Sequence, residues 1–159
     1  MSALPSQSRY IIGTEACERF SFYGMKSILM LYMTGHLLMS DNWATSALHI
    51  FVGMVYLLPL AGAWLADKVW GRYKTILYIS LLYCVGHGVL ATADLFHTIE
   101  ARRYILMAGL FIIALGAGGI KPCVSAFMGD QIPNKSPQLM TKAFNAFYWA
   151  INLGSFFSF

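Results

Sequence analysis

The chain has 159 residues, of which 58% are hydrophobic and only 11% charged. A soluble domain carries about a quarter charged residues, so a soluble enzyme or solvent-exposed binding module is excluded in favour of a membrane protein. The formal net charge of +4 sits mostly in short loops between apolar runs, and with no Lys/Arg-rich run, zinc spacing or RNA-binding motif it argues for membrane topology and against a nucleic-acid partner.

Five apolar segments of 17 to 30 residues follow one another, where a helix needs about 20 to cross the hydrocarbon. The first is predicted over 10–39 and carries charges near its start. Met1–Ser8 lacks a basic stretch and a small-residue cleavage site, so this run is read as a span rather than a signal peptide. Ser40, Asp41 and Asn42 offer turn and helix-capping chemistry before the second span, 44–66. A charged loop, Asp67–Lys74, leads to the third span, 75–96, and a polar stretch, His97–Arg103, to the fourth, 104–128. Gly129–Lys142, with Pro133 and Pro137, separates it from a fifth span, 143–159. That last run shows no polar stop, so the chain is expected to be an N-terminal fragment of a longer protein. The fold class predicted is all-α integral membrane.

Cys17, Cys84 and Cys123 all fall in apolar segments and are expected to pack as small apolar side chains, with no disulfide framework. With the N-terminus inside, the inner loops hold Arg9, Lys68, Arg72, Lys74, Lys135 and Lys142, against Arg102 and Arg103 outside. This bias predicts a cytoplasmic N-terminus in a multi-pass protein of the plasma or bacterial inner membrane.

Ionisable groups at bilayer depth cost at least about 2.5–3.5 kcal/mol each on insertion scales, and the first span carries Glu15, Glu18, Arg19 and Lys26. With Glu15 at zero, Glu18 lies at about −60°, Arg19 at +40°, Phe22 at −20°, Tyr23 at +80° and Lys26 at +20°. The opposite side is read as offering Phe20, Met25, Ile28 and Leu29 to lipid or neighbouring helices. A mixed-sign stripe of this kind predicts a partly wet interior and a solute pathway, with Glu18 and Arg19 paired to groups on other helices. A structural ion-pair network, or a merely interfacial Glu15, are the competing readings. Lys121 is the other deep charge, set between Gly116–Gly119, which permit close helix approach, and Pro122, where the helix can bend. It needs a carboxylate partner, for which Glu15 and Glu18 are the candidates, and such a pair would be a proton-sensitive latch; snorkelling of Lys121 to an interface is the alternative. His49 and Tyr56 share one face of the second span, where His49 reads as a satisfied interior histidine or a proton carrier. His36 and His97 read as interfacial and His87 as interior packing, without a role.

Four stretches together resemble a known family. Glu15-Ala-Cys-Glu18-Arg19-Phe20-Ser-Phe22-Tyr23 resembles the ExxERFxYY motif of the proton-dependent oligopeptide transporters, a branch of the major facilitator superfamily. Gly62–Arg72 resembles the superfamily's loop between helices two and three, Ala114–Gln131 the family's fourth-helix signature, and Phe144–Ser155 its fifth. The resemblance implies the first five helices of a six-helix N-terminal bundle, with the second bundle absent. It implies proton coupling by Glu15, Glu18, Arg19, Lys121 and His49, and peptide binding by Tyr23, Lys26, Tyr56, Lys121 and Asn152. Asp67 and Arg72 match the inner gating loop. Phe22 departs from the motif's first tyrosine, removing a hydroxyl from the pocket; Lys68 stands for a common arginine and Met128 for a frequent glycine.

The function so implied is proton-coupled symport of di- and tripeptides by alternating access, with protons as the coupling ion and no other cofactor or metal. The expected partners are a small peptide, the lipid bilayer and a C-terminal half. A transporter of nitrate or another anion on the same fold, or an inactive fragment, are the alternatives. A membrane enzyme finds no support, because no G-x-S-x-G, HExxH, P-loop or dinucleotide motif occurs.

Overall fold

The computed structural model describes residues 4–158, all of whose regular structure is helical. Phe159, the last residue of the predicted fifth span, and residues 1–3 of the N-terminal stretch lie outside the described residues. In chain order the helices are α1 (Ser6–Leu31, followed by a π-helical turn Tyr32–His36), α2 (Asp41–Leu57), α3 (Pro59–Leu65, followed by a π-helical turn Ala66–Trp70), α4 (Arg72–Ala91), α5 (Ile99–Asp130) and α6 (Pro137–Phe156). Short 3₁₀ turns, Ala93–Leu95 and Pro133–Lys135, follow α4 and α5.

Most helices outrun the apolar spans read from the sequence. Hydropathy marks only the greasy middle of a helix, whereas backbone hydrogen bonding continues into polar residues such as Arg9, Arg72 and Lys142 until something stops it. Asp67–Lys74 is therefore not the loop expected. Asp67 sits inside the π-helical turn and Arg72 opens α4, leaving Gly71 alone to make the break. Gly71 does so at φ +77°, which costs a residue without Cβ little, and its carbonyl accepts from both the backbone N–H and the hydroxyl of Thr75 (3.1 and 2.9 Å). The expected cap at Ser40 is only partly realised: Ser40 is extended before α2, but its hydroxyl makes no capping bond. α5 is one helix of 32 residues across Pro122.

The chain divides into two compact units, one comprising residues up to Ser27 and from Val124 onward, the other Ile28–Cys123. In the first, Met128, Ile132 and Ala143 form a buried core against Leu4, Ile11, Ile12, Leu139 and Met140. The predicted breaker segment is present: Asn134 and Lys135 both take positive φ (49° and 47°), and Pro137 starts α6 at the position where a missing N–H costs nothing.

In the second unit the approach of helices is set by glycine. A Cβ on Gly62 of α3 would lie 2.5 Å from the Cα of Gly119 in α5, and one on Gly116 would lie 2.7 Å from the Cα of Tyr83 in α4. These are backbone-to-backbone contacts of the small-residue kind that packs membrane helices. The stretches Asp41–Trp70, Arg72–Leu95 and Ile99–Asp130 are long and apolar enough to cross a membrane. α5 buries 56% of its most apolar window against 17% for each of the other two, which makes it the inner helix of the three.

Candidate functional site: a buried charge triad and a lysine over a tyrosine

Glu15, Glu18 and Arg19 in the first unit are only 5%, 6% and 5% exposed, and they are brought together. The i,i+4 spacing lays Arg19 Nε 3.0 Å from Glu15 Oε1, and Arg19 Nη2 is ion-paired with Glu18 Oε2. Arg19 thus finds its partners on its own helix, where the sequence led us to expect them on others. The reason is geometric: residues four apart stack on one helical face, and a guanidinium can fork between two carboxylates. The triad thus sets two carboxylates on one cation in a buried place. Below them the Phe22 ring, 5% exposed, lies 5.9 Å from the Arg19 guanidinium carbon.

The stripe continues to Tyr23 and Lys26, both half-buried on α1. One assignment to the opposite side is corrected by the structure. Leu29 is buried and Met25 is half-buried, while Phe20 and Ile28 are exposed as expected. Leu29 follows Glu15 by fourteen residues, which returns it to about −40°, inside the charged arc. Asn152 is exposed on α6 in the same unit, two residues before Gly154.

In the second unit Lys121 Nζ sits 5.3 Å from the centroid of the Tyr56 ring, within the range of a cation–π contact. Two residues assigned separately to substrate are therefore one construction. Lys121 is half-buried and Tyr56 is 75% exposed. The close seating of Gly118 against Leu58, where a Cβ would lie 2.7 Å from the Leu58 Cβ, brings α5 to the junction of α2 and α3 that places this tyrosine. His49 is exposed on α2, two turns before Tyr56, which does not fit a satisfied interior histidine. Asp67 is exposed and Arg72 half-buried around Gly71. Among the cysteines, Cys123 is buried with Sγ 3.7 Å from the Gly62 carbonyl, but Cys17 and Cys84 are exposed, contrary to the expected packing role.

One constellation escaped the sequence reading. Asp94 Oδ1 accepts from the Tyr32 hydroxyl (2.9 Å) and lies 3.0 Å from His36 Nε2, and Arg102 donates to the Phe96 carbonyl (2.7 Å) and approaches Asp94 at 3.8 Å. Beside it Arg103 donates three bonds, to the carbonyls of Leu37 (3.0 and 2.8 Å) and Leu38 (2.7 Å). This polar knot ties the end of α1 to the α4–α5 connection. Its members are some 60 residues apart, and no local pattern announces them. A groove of about 690 Å³ in the same unit, lined by residues including Trp43, Phe51, Met54, Arg103 and Tyr104, holds none of the predicted site residues. Among the described residues no three His, Cys, Asp or Glu side chains cluster as a metal site would require.

An all-helical fold with helices long and apolar enough to cross a membrane, a charge triad inside one unit and a lysine-bearing helix packed through glycines defines a membrane helical bundle of the major-facilitator type. The pattern of the family described as POT (PTR2) matches residues 73–159, more than half of the sequence, and the chain belongs to that family. It is 47% identical over 156 residues to Peptide transporter family 1 of Drosophila melanogaster, covering 97% of this chain and 21% of the relative. It is 42% identical over 159 residues to human Solute carrier family 15 member 2, covering 99% and 22%. The crystal structure of the POT family transporter PepTSo superposes with a TM-score of 0.88 at 48% identity, over 99% of this chain and 31% of that one. The chain thus spans about a fifth of the length of these curated relatives. These relatives are transporters, not enzymes, and the resemblance read from four motifs extends to the whole fold.

Proposed function

We propose that this chain forms part of the first helical bundle of a proton-coupled symporter for di- and tripeptides. The observation that carries the reading is the buried triad itself, two carboxylates and the guanidinium that forks between them on one face of α1. A buried carboxylate that takes a proton exchanges a charge for a neutral group and so changes what it binds. Glu15 and Glu18 are the proton acceptors, Arg19 holds them, and Lys121 is the cation that answers their charge state. His49, exposed on α2, serves as a proton entry or relay group.

Lys121 above the Tyr56 ring suits a peptide carboxylate: the ammonium supplies charge, while the tyrosine orients it and offers a hydroxyl. Lys26, Tyr23 and Asn152 provide further polar contacts. Asp67 and Arg72 act in gating at the inner end, in a plasma or bacterial inner membrane with the N-terminus cytoplasmic. A second bundle completes the alternating-access cycle around a midplane site, and the bilayer and the proton are the remaining partners. An intact Glu15, Glu18 and Arg19 set favours peptide over nitrate or another anion.

In the full-length transporter carrying this chain, Glu18→Gln is expected to abolish gradient-driven accumulation of a labelled dipeptide while sparing counterflow exchange. Unchanged accumulation in that variant sinks the coupling role. Competition by unlabelled dipeptides, but not by nitrate, separates the two cargoes.

A further inference from the structure

Arg19 is held from two sides by groups to which the coupling scheme gives no part. The first is α6. Gly154 is buried, and a Cβ on it would lie 2.6 Å from the Ala16 carbonyl oxygen and 3.2 Å from both the Arg19 Cβ and the Phe20 amide nitrogen. The α6 backbone therefore rests directly on the turn of α1 that carries Arg19. A methyl group at 154 has nowhere to go, because its nearest neighbour is backbone, so the two helices must part. The second is Phe22, whose face lies under the guanidinium and whose ring is set edge-on against Tyr23 (5.6 Å, 81°). The electron-rich face of an aromatic ring attracts a cation, and the contact strengthens with burial; Arg19 and Phe22 are both buried. Phe22 stands where the family motif has a tyrosine. Its burial places its ring beneath Arg19, where the side chain acts through the face of the ring and not through a hydroxyl.

We propose that Gly154 and Phe22 are positioning residues that hold the Arg19 guanidinium against Glu15 and Glu18 and so set the pH at which the triad takes its proton. The proposal rests on the coupling reading above. Within this unit, α6 brings no charged side chain between Ala143 and Phe156, and Tyr148 is its one titratable residue there. The other charged or titratable side chains of this unit are Arg9, Tyr10, Cys17, Tyr23 and Lys26 on α1, Asp130 at the end of α5, Lys135 in the turn that follows and Lys142 on α6. Arg19 thus supplies the positive charge nearest the carboxylates on their own helix. If it draws back, the carboxylates lose part of what favours their ionised form, and they keep a proton to higher pH.

The test uses the full-length transporter in proteoliposomes, with gradient-driven dipeptide uptake measured from about pH 5 to 8 and counterflow at equal pH on both sides. Gly154→Ala and Phe22→Leu are expected to move the midpoint of driven uptake upward by about half a pH unit or more, a threefold change in proton concentration, with counterflow retained. Phe22→Tyr keeps the ring and is expected to keep the profile. So is Gly13→Ala, at a site on the same helix where a Cβ meets nothing within 4 Å. Should Gly154→Ala fail to assemble, the Phe22→Leu and Phe22→Tyr pair decides. An unchanged midpoint in Phe22→Leu, or equal shifts in Phe22→Leu and Phe22→Tyr, overturns the proposal. Glu18→Gln separates the layers: if it leaves driven uptake intact, the coupling reading fails; if it uncouples while Gly154→Ala and Phe22→Leu keep the native profile, only the positioning role fails.

Discussion

Replacing Arg19 by methionine leaves Glu15 and Glu18 side by side on one helical face, at 5% and 6% exposure, without the guanidinium that forks between them. Removing one member of a buried ion pair costs about 3–5 kcal/mol, because the charge left behind loses its counterion in a place where water does not replace it. At 1.4 kcal/mol per decade that is a loss of roughly two to three and a half factors of ten in the folding equilibrium. The sign of the pH dependence follows from the charges. Above the ordinary range of glutamate the variant must either hold two buried anions without the guanidinium or spend free energy to protonate them, so the deficit is greatest at neutral and alkaline pH. As the pH falls toward about 4 the unfolded chain protonates its carboxylates too and the deficit shrinks. The assay is thermal unfolding of the purified membrane protein in detergent, native against Arg19→Met, across that pH range. A deficit of the same size at every pH would refute the reasoning, since it would mean that lost packing and not uncompensated charge destabilises the variant.

Two further outcomes follow from backbone contacts. Gly62→Ala is expected to destabilise by about 1–3 kcal/mol, because its new methyl meets the Gly119 backbone, whereas Gly53→Ala on α2, with nothing within 4 Å, is expected to stabilise by up to about 1 kcal/mol through helix propensity; melting temperatures of the pair should move in opposite directions. Arg103→Gln removes the charged donor from the Leu37 and Leu38 carbonyls at a turn where Leu38 sits at φ +50°. Charge-assisted bonds of this kind contribute about 1.5–3 kcal/mol, so limited proteolysis at 37–40 should quicken while the triad's pH behaviour stays as it was.

How much of this was legible beforehand depends on the range of the interaction involved. The charged stripe was readable because helical angles are local: Glu15, Glu18 and Arg19 fall together whatever surrounds them. The same arithmetic, carried fourteen residues on, puts Leu29 inside the arc, where the structure buries it; assigning it to the far side was an error of counting, not of physics. The polarity of Asp67–Lys74 points to a loop, though a π-helical turn and one glycine at positive φ suffice to turn the chain. The polar knot at Asp94 was invisible, since Tyr32, His36 and Arg102 reach it only after the helices have packed.

The sequence by itself determined that this is a helical membrane protein and which side chains on α1 share a face. Those properties depend on apolar length and on a 3.6-residue repeat, both written in neighbouring residues. The tertiary structure decided which apolar faces turn inward, why Gly62, Gly116 and Gly154 cannot carry a side chain, and that Lys121 lies over Tyr56. Hydropathy cannot decide these things, because in a membrane a face packed on another helix and a face turned to lipid are equally apolar. What distinguishes them is close backbone approach and the partners found across it, and those exist only once distant segments meet.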